Sequence, residues 1–152
     1  MLLFLIFWRI VMTRIKWTEQ LSIGIDSIDK QHKVLIKCID ELYEAMDKGS
    51  SIRAHTIENV ITKLINYTKV HFMYEELIVF KHISFPEADD HKIGHEKLFI
   101  RVEAFQKRFK TENIDDIHPE LMEFLNKWLT NHILKEDMKY AIYAKENGLD
   151  VK

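Results

Sequence analysis

The sequence predicts an all-α protein, an antiparallel up-down-up-down four-helix bundle with an N-terminal arm. Three observations carry this prediction. Apolar residues recur at alternating steps of three and four in four separate stretches, which is the period of one helix face. Glycine is rare and proline occurs only at positions 86 and 119, so little interrupts the helical period. The 152 residues suit one domain with a core large enough to need no staples, and no internal repeat divides it.

Residues 1–14 read as an apolar extension, beginning MLLFLIFWRIVM. The run is interrupted at Arg9 and falls short of the ~20 residues that span a bilayer. No positive charge precedes it and no small-residue cleavage site follows, so it is read as an extension ahead of a start at Met12, with no firm membrane association. The bundle domain is assigned to residues 15–148, opening with an arm from Ile15 to Gly24 that carries Trp17. Asp26 or Ser27 could cap a first helix over about 28–47, which Gly49 should stop. A second helix over about 54–81 is broken by Ser84, Phe85 and Pro86. Pro86 fits the first turn of a third helix, about 86–110, where Glu87, Asp89 and Asp90 complement the positive helix end. Residues 113–118 form the next loop, Pro119 opens a fourth helix over about 119–145, and Gly148 ends it.

A formal charge of -2 and a pI near 6.4 leave no basic footprint, which argues against nucleic acid as a partner. Cys38 is the sole cysteine, so no internal disulfide can form, and a reducing, cytoplasmic setting is expected. Beside the seam of the first helix, its thiol is read as a small hydrophobe with no further role.

The informative residues are polar and sit where apolar ones belong. Ile28, Leu35, Ile39, Leu42 and Met46 mark the first seam, and His32 fills its one missing slot. The second seam reads Ile57, Ile61, Leu64, Thr68, His71, Glu75, Ile78, and the third His91, His95, Leu98, Val102, Phe105, Phe109. The fourth reads Leu121, Leu125, Trp128, His132. Imidazoles therefore enter the core from every helix. In an up-down-up-down bundle the start of the first and third helices and the end of the second and fourth share a level, so these histidines, Glu75 and Asp137 converge at one end.

Five imidazoles and two carboxylates suit a first-row transition metal of borderline softness, and disfavour calcium or magnesium with their all-oxygen shells. Seven such groups exceed the four of a closed zinc site, so two bridged metals are the economical reading. One spacing is awkward. Asp137 follows His132 by five residues, which on a straight helix turns it ~140° off that face, whereas Glu136 would align. Straight-helix geometry selects Glu136, and a local π-bulge would select Asp137. His55, His82 and His118 lie at expected helix ends and are read as solvated or capping residues.

Taken in order, Gln31-His32, His71-x-x-x-Glu75, His91-x-x-x-His95 and His132-x-x-x-x-Asp137 resemble the signature of the haemerythrin family, in particular its single-domain bacterial members. The likeness spans roughly Ile15 to Ala144; the apolar start departs from it. It implies a non-haem centre of two iron ions. His91, His95 and His132 would hold one iron and His32 and His71 the other, while Glu75, Asp137 and an oxo or hydroxo group bridge them. Leu35, Phe72, Trp128, Leu129 and Ile133 would line the pocket of an open position that binds dioxygen reversibly, for carriage, storage or delivery. The implied protein is a carrier and not an enzyme, and its redox or delivery partner is not specified. The alternative from the same ligands is a di-iron enzyme, or a detoxifying or sensing protein acting on oxygen, peroxide or nitric oxide. No His-Glu-x-x-His pair points to a zinc hydrolase.

Overall fold

A computed structural model describes residues 14–151, and among these it contains helices and no strand. Helix α1 is Asp26–Ala45. The second rod, α2, is α-helical over Ser50–Tyr74, widens to a π-turn at Glu75–Val79 and closes with Phe80–Ile83. Helix α3 is Ala88–Arg108. The fourth rod, α4, runs through Ile114–Asn131, a second π-turn at His132–Asp137, and Met138–Glu146. Short connections force consecutive rods to run antiparallel. α1 packs on α2 and α4, α2 on α3 and α4, and α3 on α4.

Away from the polar end, Ile39, Leu42, Ile57, Ile61, Phe105, Leu121, Met122 and Leu125 fill the interior. Each such side chain contributes about 1.5–3 kcal/mol by leaving water. The arm lies against this core through buried Ile15, Leu21, Ile23 and Ile25, and Lys33 sits over the Trp17 ring at 4.6 Å. Arg14 pairs with Asp40 and Glu44 on α1. The expected apolar extension, apart from Arg14, lies outside the described residues. No described helix is long and apolar enough to cross a membrane.

Several boundaries differ from the sequence reading. Neither Asp26 nor Ser27 caps α1; its N-cap is Ile25, which makes no side-chain bond. Asp29 in the first turn instead accepts from the Ser22 hydroxyl and, at 2.9 Å, from the Ile23 N–H, so the carboxylate ties the arm to the helix's positive end. Gly49 does not stop α1 but is the N-cap of α2, with φ -60°. Pro86 precedes α3, whose N-cap is Glu87. Pro119 does not open α4: Asn113 caps the helix by accepting the Asp115 N–H at 2.9 Å, and Pro119 is buried within the rod. That earlier start turns His118 inward. His118 is fully buried, not solvated, and donates from Nε2 to the Leu42 carbonyl at 2.8 Å. Burial pushes its pKa down, with the Leu42 bond pulling the other way. His55 and His82 are exposed. Ser84, at φ 53°, ends α2 in the left-handed region, and Gly148, at φ 64°, ends α4 while Leu149 N–H reaches back to the Ala144 carbonyl at 2.8 Å.

The π-turn in α2 overturns one seam position. Ile78, expected inside, is 54% exposed, and Val79 takes its place at 1%. One extra residue in the turn rotates everything downstream by about 100°.

Candidate metal centre

Each rod delivers its polar residues at the same level. His32 comes from the second turn of α1, His71 and Glu75 from the approach to the first π-turn, His91 and His95 from the start of α3, and His132 and Asp137 from the two ends of the second π-turn. None of the seven is more than 4% exposed. The widened turn in α4 carries Asp137 to 0% exposure, while Glu136 points outward to the Lys139 ammonium at 3.2 Å. The i+5 spacing that defeats a straight helix is the spacing a π-turn brings into line.

The atoms converge. His32 Nε2 lies 2.8 Å from Asp137 Oδ2, His132 Nε2 3.0 Å from Asp137 Oδ1, and His91 Nε2 3.3 Å from the same oxygen. Glu75 Oε2 is 3.1 Å from His95 Nε2 and 3.7 Å from both His71 Nε2 and His91 Nε2. Two overlapping ligand groups result: Glu75, His91, His95 and His132, and His71, Glu75, His132 and Asp137. All five Nε2 atoms, Glu75 Oε2 and both Asp137 oxygens are buried without a hydrogen bond. An unsatisfied buried polar atom costs about 1–3 kcal/mol, so this many aimed at one spot fit a set of metal donors and no ordinary core.

The electrostatics agree. Burial pushes His71 below the imidazole range, and takes His132 to about 4 despite the adjacent carboxylates. For His91 burial is outweighed by Asp137 and Glu75, which push it up to about 9. Glu75 is held well below the carboxylate range, against burial, by the surrounding imidazoles, and Asp137 is also lowered against burial and the Glu75 charge. Anionic carboxylates among mostly neutral imidazoles are the protonation states that metal binding requires.

Three supporting residues carried no role in the sequence reading. Gln31 Oε1 accepts from His71 Nδ1 at 2.6 Å, Glu76 Oε1 from His95 Nδ1 at 2.9 Å, and the Tyr140 hydroxyl donates to Glu75 Oε1 at 2.7 Å. Such bonds fix ring orientation and leave Nε2 free as a ligand. The signal was available for Tyr140, three residues beyond Asp137 on the same face once the π-turn is admitted.

The expected pocket residues divide. Leu35, Trp128 and Leu129 line a narrow apolar cavity beside the cluster, together with Leu64, Leu98 and Leu125. Phe72 and Ile133 are buried but lie off its wall; Phe72 instead stacks on His95 at 3.5 Å, as Trp128 does on His132 at 4.5 Å.

Comparison with known proteins places this geometry. The family model described as the hemerythrin HHE cation binding domain matches residues 23–143. The chain belongs to the haemerythrin family. The bacteriohemerythrin of Stenotrophomonas maltophilia is 34% identical over 134 residues, 88% of this chain and 84% of that protein. The bacteriohemerythrin of Clostridium acetobutylicum is 27% identical, over 82% of this chain and 96% of its own length. A wild-type haemerythrin crystal structure superposes with a TM-score of 0.69 at 25% identity, covering 86% of this chain and 97% of that one. This haemerythrin-family chain is thus a helical-bundle, metal-binding domain whose cluster of His, Glu and Asp lies at one end of the bundle.

Proposed function

We propose that the chain holds two iron ions and binds dioxygen reversibly, as a carrier, store or delivery protein. The observation that supports this most is the pair of overlapping ligand groups sharing Glu75 and His132, all buried and all without hydrogen bonds at their inward atoms. One group is rich in imidazole and the other in carboxylate, and both suit borderline first-row metals. His91, His95 and His132 would serve one iron, His32 and His71 the other, and Glu75 and Asp137 would bridge. A di-iron centre bound there would supply the electron-rich metal chemistry that dioxygen binding needs.

The chain's own residues supply the rest. Tyr140 restrains Glu75 through Oε1, which leaves Oε2 to face the imidazoles. Leu35, Trp128 and Leu129 keep the adjacent cavity apolar, Phe72 covers the His95 ring, and Ile133 is buried. Excluding water from the site slows proton delivery, which favours release of the gas unchanged over its reduction. Besides the Trp128 indole, the cavity wall carries a polar group at Thr68, whose hydroxyl bonds back to the Leu64 carbonyl, and none of its lining side chains is an acid or a base. This favours binding over catalysis.

The test is to load ferrous protein without oxygen, admit air, then flush with inert gas. A visible band that comes with air and fades on flushing supports carriage; steady oxygen consumption supports an enzyme. A metal assay giving one zinc per chain and no iron would overturn the reading.

A further inference from the structure

Two of the five imidazoles have a side-chain acceptor on their outer nitrogen, and the two acceptors differ in charge. His95 donates to the Glu76 carboxylate and His71 to the neutral Gln31 amide. The outer nitrogens of His32 and His91 have no partner. A carboxylate acceptor strengthens the bond and draws the ring toward imidazolate, which raises the basicity of the opposite nitrogen; an amide does so far less. Glu76 is also well placed to act electronically and not merely as a spacer. It stands at the first residue after the ligand Glu75 within the π-turn, with the Lys92 ammonium 3.8 Å from its other oxygen, while Phe72 stacks on His95 and fixes the ring plane.

We propose that Glu76 and Gln31 make the two metal positions unequal, Glu76 strengthening the position served by His95 and Gln31 leaving the one served by His71 weaker. The inference rests on the two-metal reading above. It makes both side chains positioning residues that act through an imidazole and never touch the metal.

Metal titration of the metal-free protein with Co(II), followed by its visible absorption, reads the two binding steps without any oxygen chemistry. The wild-type chain should take two ions in distinguishable steps. Glu76→Gln keeps a hydrogen-bond acceptor and removes the charge, and should weaken the tighter step about 10–100-fold while leaving the weaker step within about threefold. Gln31→Glu should tighten the weaker step by about tenfold or more, and Glu76→Asp, which restores the charge, should recover part of the loss. Circular dichroism of each variant confirms that the bundle is folded. If the variants still bind two ions with both constants within about threefold of wild type, the asymmetry is refuted while the two-metal centre stands. If wild type binds a single Co(II), the two-metal centre itself fails and this inference with it.

Discussion

The π-turn at Glu75–Val79 can be tested by a pair of neighbouring truncations. On a straight helix Ile78 belongs to the seam; with the turn in place it is 54% exposed and Val79 is 1% exposed. Val79→Ala removes two buried methyl groups, worth ~0.8 kcal/mol each, and adds a cavity term, for a total of about 2 kcal/mol. Ile78→Ala trims a side chain that already faces water and should stay within about 0.5 kcal/mol. In a domain of this size each kcal/mol shifts Tm by about 2–4 °C, so the first variant should melt about 4–8 °C below the parent and the second within about 2 °C of it. Thermal melts of the metal-free proteins, followed by circular dichroism at 222 nm (about the α-helical minimum), separate these outcomes. The reverse order, with Ile78→Ala the more damaging, would show that the rod is straight and that the register drawn for everything after Glu75 is wrong.

Two further outcomes concern the centre. Glu75→Ala and His132→Ala each delete a residue common to both ligand groups and should bring iron content below two per chain in a colorimetric assay; two irons retained in both variants would count against these ligands. Metal uptake should also respond to pH. His91, pushed up to about 9, keeps a proton below that value which the metal must displace, whereas His71 and His132 are lowered and have none to lose between pH 7 and 9. Apparent affinity should therefore rise about tenfold per pH unit over that window and level off above it, as read by competition with a chelator; a flat profile would refute the His91 assignment.

Much of this was legible in the sequence because its two main signals are strong. The seams of four helices require an apolar side chain every three or four residues, and imidazoles at those positions stand out against the pattern. The short connections then fix which helix ends meet. What escaped were features decided by local backbone competition. Pro119 looked like a helix opener because its missing N–H is harmless there, but Asn113, five residues upstream of His118, captures the first turn and so buries that histidine. The seam through Ile78 failed for a similar reason: a single added residue is invisible to a periodicity whose steps already alternate between three and four. Gln31 and Glu76 were unassigned because their support follows from ring orientation, which no spacing rule states, and Tyr140 falls on the face of Asp137 only once the π-turn is admitted.

The two π-turns have a consequence for how such a site can be made or lost. They sit on neighbouring rods and each contains one residue more than an α-helical path needs. Removing that residue from either rod would give back a regular, uninterrupted helix and leave the side chains beyond it on the faces they now occupy, whereas straightening the turn with the residue kept would swing them all to another face. In backbone terms the distance between an ordinary bundle and this one is a pair of single-codon insertions.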